Sequence, residues 1–405
     1  MSEVTTVLEE KESVSLLMLF LTFLKIGSTA FGGFMALISV VQNYVVDRKK
    51  LISHSVMMDG ISLATILPGP VAVNVVAYVG YQVRGFAGAV VCTVAVIIPS
   101  FLLILGLSYA YFTWGEIPSV SHVFNGFQPA VAAIILTAAI NMSRKTLSTN
   151  PQYALAIFSM LMLIFVGGFF ITLAIIFVSG VAGYLMYKSD HKEKAIKQEW
   201  IKQEWINKKE LVIPAMGIPL LLTLIIYPLA TTSASVGIKL FTTFSGMSLL
   251  LFGGGYVFIP LIQEVVVNTH GWVSHREFID GIALGQITPG PILISATFIG
   301  YKVAGVAGAI AATVGIFMPP AILMLICTSL LETIRSSAVI KSILQGIRCG
   351  VIGMIAAAAY VVIISSEPNL ISAVIFGAAL VALMKFRLEV VWIIPAAGLI
   401  GFILY

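Results

Sequence analysis

One set of helix-breaking motifs occurs twice in this chain, and that duplication constrains the fold more than any other feature. Phe31-Gly32-Gly33 recurs as Phe252-Gly253-Gly254, Asp59-Gly60 as Asp280-Gly281, and Pro68-Gly69-Pro70 as Pro289-Gly290-Pro291, each 221 residues later. Gln42 and His54 have twins in the same register, Gln263 and His275. After a slip of one residue the match resumes at Gly80-Tyr81 with Gly300-Tyr301, Gly88 with Gly308, Pro99 with Pro319 and Gly126 with Gly346. Breakers repeated in one register within apolar sequence are the pattern of a transporter built from internal repeats.

The setting of these breakers is lipid. Of 405 residues, 59% are hydrophobic and 10% charged, far too apolar for a water-soluble core. The net charge of +5 gathers largely in one lysine-rich loop, which suits a cytoplasmic loop beside anionic lipid and not a nucleic-acid footprint. Cys92, Cys327 and Cys349 sit in or beside apolar stretches without metal or disulfide spacing, and read as small buried hydrophobes. The acidic N-terminus lacks the positive region and cleavage site of a signal peptide, so the apolar stretch from Val14 is expected to stay as a membrane helix.

Apolar segments predict an all-α polytopic membrane protein with a first repeat at 1–187, a charged cytoplasmic linker at 188–210, a linker transmembrane helix at 211–230 and a second repeat at 231–405. The linker holds seven lysines and a tandem copy, Ile196 to Trp200 and then Ile201 to Trp205, which reads as linker growth. The lysine and arginine bias places the N-terminus inside. Six segments plus the linker helix make an odd shift, which predicts inverted repeats related by a pseudo-two-fold axis in the membrane plane. Segments 14–46 and 55–83 are each about 30 residues, or some 45 Å of helix, against a hydrocarbon core of about 30 Å. Each has a breaker near its middle, so re-entrant hairpins are expected at Phe31-Gly32-Gly33 and Pro68-Gly69-Pro70, with kinked spans as the alternative.

The two Pro-Gly-Pro elements carry the most chemistry. Two prolines remove amide donors and flank a glycine free to take positive φ. Exposed backbone at membrane depth is tolerated only against protein or a watery cavity. Ser274 to Glu277 reads as a capping box, which puts Pro289 about 22 Å along its helix, well inside the bilayer. The alternative reading is a structural kink. The Phe-Gly-Gly motifs serve equally well as close-packing faces or as breaks whose restarting helices aim N–H groups at an anion. Asp59 and Asp280 lie about six residues into their helices, as helix-end complements or as coupling carboxylates. Lys25 stands in an apolar run without a twin, either at a functional site or snorkelling. Glu264, Arg84, Lys302, His54 and His275 read as interfacial residues. No nucleophile–base pair, metal cluster or nucleotide loop stands out, so neither an enzyme nor a cofactor is expected.

Paired Phe-Gly-Gly, Asp-Gly and Pro-Gly-Pro motifs, Gly-Tyr-x-x-x-Gly runs at 80–85 and 300–305, and the element at 126–129 resemble the chromate ion transporter family in its long, fused form. The resemblance implies a plasma-membrane carrier that exports chromate, with sulfate as the look-alike anion, driven by membrane potential or a proton gradient. It also implies kinship with short members that pair as half-size proteins of opposite orientation. Phe34 and Gly255 stand where the family often has proline, and Cys349 replaces the proline matching Pro129. The expected site comprises Phe31, Gly32, Gly33, Pro68, Gly69, Pro70, Phe252, Gly253, Gly254, Pro289, Gly290, Pro291 and Lys25, with Asp59 and Asp280 as coupling candidates. Because no row of intramembrane arginines is evident, amides and helix dipoles are expected to supply most of the binding. The expected partners are chromate or a related oxyanion and the lipid bilayer, without nucleic acid, and a homodimer is the expected assembly. Oxyanion uptake and a passive anion channel stay open as alternatives.

Overall fold

The computed structural model describes residues 14–31, 33–187, 235–252, 255–328, 337–365 and 369–405. The linker 188–210, the linker helix 211–230, Gly32, Gly253 and Gly254 lie outside them. Within the described residues every regular element is a helix. The first repeat runs α1 (Leu16–Thr29), α2 (Gly33–Gln42, continued by a π-helical turn Asn43–Arg48), α3 (His54–Ile66), α4 (Val71–Trp114), α5 (Pro118–Thr146), α6 (Asn150–Phe165) and α7 (Phe169–Met186). The second repeats that order as α8 (Val236–Ser248), α9 (Phe258–Ile262, with a π-helical turn Gln263–Thr269), α10 (His275–Ile287), α11 (Ser295–Thr328), α12 (Ala338–Ser365), α13 (Leu370–Met384) and α14 (Val390–Leu404).

Chain reversal occurs at the predicted breaks. Gly60 packs on Tyr78, and these two lie symmetrically about Gly69. A continuous helix would hold residues so spaced about 27 Å apart, so α3 and the start of α4 form a hairpin with Pro68-Gly69-Pro70 at its tip. Gly281 on Phe298 makes the same hairpin in the second repeat. Lys25 lies over the Tyr44 ring, 5.8 Å from its centroid, which closes α1 onto the end of α2 across the Phe31 break. The kinked-span alternative is thereby removed. Gly69 and Gly290 both adopt φ of +109°, the conformation that an L side chain resists. A further reversal splits α4 at Arg84-Gly85 and α11 at Ala304-Gly305. There Gly80 meets Gly88, Gly300 meets Gly308, and Thr297 and Thr313 hydroxyls hydrogen-bond at 2.7 Å.

Caps explain several helix starts. Ser274 and Glu277 form the predicted box: the Glu277 N–H donates to Ser274 Oγ at 3.1 Å, and the Ser274 N–H to Glu277 Oε2 at 2.8 Å. Gly167 and Gly168, both at positive φ, separate α6 from α7, so the apolar run 151–187 is two helices.

The repeats embrace reciprocally. Gly126 on α5 lies against the backbone of Ala397 and Gly401 on α14. Its twin Gly346 on α12 lies against Ser179 and Gly183 on α7. Small residues let these backbones approach closely, which is how helices associate where lipid supplies no hydrophobic drive. The three cysteines are buried and free, as their apolar settings predict.

Candidate functional site

The four breaks are cross-linked between repeats. The Gly69 N–H donates to Leu251 O at 2.8 Å, and the Gly290 N–H donates to Ala30 O at 2.8 Å. Gly69 and Gly290 are twins, and so are Ala30 and Leu251, so the two bonds are mates under a two-fold relation. The tip of each Pro-Gly-Pro hairpin thus docks on the residue preceding the other repeat's Phe-Gly-Gly. Both Pro-Gly-Pro elements are buried. Phe252 is buried, whereas Phe31 is 38% exposed. Two glycine amides expected to face an anion are therefore used to pin the repeats together. Their carbonyl partners remove the cost of an unpaired amide in an apolar interior.

Each break also starts a helix. The backbones of α2, α4 and α11 begin at or just after the tips, so their first N–H groups and positive dipole ends converge on the junction. Asn74, fully buried in the first turn of α4, donates from Nδ2 to Pro68 O at 3.2 Å and braces the tip. Its Oδ1 accepts no hydrogen bond from the described residues.

Asp280 has a dedicated environment. It is 0% exposed, and its Oδ2 accepts the Tyr111 hydroxyl at 2.7 Å and stands 4.0 Å from Arg276 Nε. The Gln128 side chain on α5 faces the same carboxyl, and Oδ1 is without a hydrogen-bond partner among the described residues. Arg276 is held in turn by Ser121 Oγ at 2.8 Å and Asn125 Oδ1 at 2.7 Å. A carboxylate that only complemented its own helix end at the interface would be wet; this one is enclosed by the other repeat. Asp59, its twin, is half-buried on α3.

Lys25 is exposed on α1 beside Tyr44, whose ring also carries Arg48 at 5.0 Å. His54 and His275 are exposed as predicted. Lys302 pairs with Glu277 at 2.8 Å, and exposed Arg84 donates to Val14 O at 2.8 Å. Glu264 departs from the interfacial expectation: it is buried and accepts from Asn268 Nδ2 at 2.8 Å within the π-helical turn. Sequence reading passed over Asn74, Tyr111, Gln128 and Arg348. Arg348 carried a usable signal, being a cation ten residues into α12. It is half-buried, and its Nη2 donates to Thr65 O at 3.3 Å, just before the first Pro-Gly-Pro.

Comparison with known proteins accords with this architecture. The family described as chromate transporter matches residues 17–184 and 238–402, one segment per repeat. An uncharacterized transporter of Methanocaldococcus jannaschii is 33% identical over 353 residues, 86% of this chain and 85% of that protein. A probable chromate transport protein of Synechococcus elongatus is 30% identical over 373 residues, 89% of this chain and 88% of that one. A chromate transport protein of Pseudomonas aeruginosa is 31% identical over 401 residues, 96% and 92% of the two chains. No solved structure matches. Among the described residues, 5 helices are long and apolar enough to cross a bilayer. The chain is therefore a multi-pass protein of the plasma membrane, and it belongs to the chromate transporter family, a family of transporters and not of enzymes.

Proposed function

We propose that the protein is a secondary transporter that exports chromate, binding the tetrahedral dianion where the four helix breaks meet. The observation that carries this reading is the reciprocal pair of bonds from Gly69 to Leu251 and from Gly290 to Ala30. It brings helix N-termini of both repeats to one locus, and such ends favour negative charge. The substrate class comes from the relatives that are named for chromate transport.

Inverted repeats belong to the same reading. The first-repeat hairpin is rooted at the Arg84–Gly88 end of the long arm of α4. The root of the second-repeat hairpin packs on the other end, where Phe112 meets Phe298 and Lys302 and Tyr111 meets Asp280. Those ends are about 39 Å apart along a straight helix, more than the hydrocarbon core. Hairpins rooted at opposite membrane faces and meeting at their tips form a site near the midplane, as alternating access requires. The parity further needs the linker helix proposed at 211–230. Coupling we assign to the enclosed carboxyl of Asp280, while its half-buried twin Asp59 complements the start of its own helix.

The test is radiolabelled chromate and sulfate flux in proteoliposomes under imposed pH and voltage gradients. Uphill chromate movement driven by either gradient is expected. Flux that only ever follows the anion's own gradient would make the protein a channel. Inward driven flux alone would make it an uptake carrier.

A further inference from the structure

We propose that Arg348 is the cation that receives the transported oxyanion, on the first-repeat side of the four breaks; this rests on the oxyanion reading above. A charge within an apolar helix is kept where it faces a cavity or a partner. Arg348 lies about 15 Å along α12 from Ala338, and it forms no ion pair among the described residues. One of its five donors goes to Thr65 O among the described residues, and the side chain is half-buried, so part of it is left accessible. Thr65 precedes Pro68 by three residues, and α12 also packs against the 255–257 turn that follows Phe252-Gly253-Gly254. Arg348 therefore sits on a helix that touches the approach to one break and the exit from another.

Comparison with the twin position separates this residue from scaffold. The twin of Arg348 is Gln128, which faces the enclosed Asp280 and carries no charge. Along α3, the half-exposed Ser62 stands where α10 has the fully buried Ala283. The first-repeat break thus has a partly accessible cation beside it, and the helix leading to the second-repeat break has a closed carboxyl, both charges being supplied by the second repeat. A guanidinium presents a planar fork that matches two oxygens of a tetrahedral oxyanion, so the remaining Arg348 donors suit a chromate- or sulfate-like ligand. The competing structural role is capping, in which a cation bonds the last carbonyls of a helix such as α3.

Full-length protein in detergent is melted with increasing chromate and, separately, sulfate, and the same preparations are assayed for flux in liposomes. Arg348→Gln installs the residue that the first repeat already carries, removing charge while keeping a hydrogen-bonding side chain. Its half-protecting anion concentration and its KM are expected to rise about tenfold or more, with little change in the anion-free melting temperature. Arg348→Lys, a point charge without the fork, is expected to fall between the two. A capping role would lower the anion-free melting temperature and leave the anion dependence at the wild-type value; that result overturns the proposal. If Arg348→Gln does not fold, an unchanged KM in Arg348→Lys overturns it instead. Wild-type protein with neither flux nor protection for either anion would overturn the oxyanion reading itself.

Discussion

The two repeats share their backbone and divide their charges. α3 and α10 begin at Ser caps, carry Asp-Gly at the same register and end at Pro-Gly-Pro hairpins with identical glycine φ. Yet Asp280 is sealed by Tyr111 and Gln128 from the other repeat, whereas Asp59 is half-buried and the far end of its helix receives Arg348 of α12 at Thr65. The residues responsible are unpaired in the duplication: Tyr111 aligns with Leu331, Arg276 with Ser55 and Gln128 with Arg348. Symmetry supplies a junction of four breaks, and asymmetry at a few side chains decides what each side of that junction can do. The arrangement is closed around α10 and more open along α3.

The sharpest attack on the comparison is sidedness. Ser119→Cys and Val339→Cys occupy twin positions, both exposed, against a background of buried cysteines. Membrane-impermeant reagent should reach each from one side only, and from opposite sides. Labelling from the same side would end the inverted reading.

Next in size are the hairpin tips. A Cβ at Gly69 would overlap the Pro320 ring, while one at Gly290 would come 3.0 Å from Ser100 Oγ, a side chain able to yield. Backbone strain at positive φ costs about 1–3 kcal/mol, and overpacking adds a similar amount. Gly69→Ala is therefore expected to lower stability by about 3 kcal/mol or more, and Gly290→Ala by about half that, measured by thermal unfolding in detergent. Chromate flux should fall strongly in both; full flux in Gly290→Ala would demote the tips to structural kinks.

The aspartates come third. Asp280→Asn keeps the side chain's size but disturbs its buried hydrogen bond to Tyr111, and should cost about 1–2 kcal/mol. It should also abolish the response of flux to an imposed pH gradient. Asp59→Asn should cost at most about 1 kcal/mol and leave that response in place. Equal behaviour of the two variants would mean that burial of Asp280 has no part in coupling.

The smallest effect is expected at Lys25, exposed over Tyr44 at 5.8 Å. An exposed cation–π contact is worth about 0.5–1 kcal/mol, so Lys25→Ala should shift stability by no more than that. A large rise in chromate KM in this variant would move the anion site towards α1 and away from Arg348.

The backbone plan was written in local chemistry, and the sequence alone determined it. Proline removes a donor wherever it stands, glycine between prolines frees φ, and Ser274 with Glu277 caps a helix within four residues; none of these needs a distant partner. The duplication and its register followed from such signals, as did the hairpin tips. Other assignments depended on residues brought together from far along the chain. Tyr111 and Asp280 are 169 positions apart, and Arg348 and Thr65 are 283 apart. No periodicity encodes such pairs, because they arise only when one repeat is rotated onto the other. For the same reason Gly69 and Gly290, legible as flexible points, could not be foreseen as donors to Leu251 and Ala30. Local propensity decides where the chain must break. Tertiary packing decides which breaks meet and which charges stand beside them, because an unpaired backbone group or an ion in an apolar interior costs several kcal/mol and only distant parts of the chain can satisfy it.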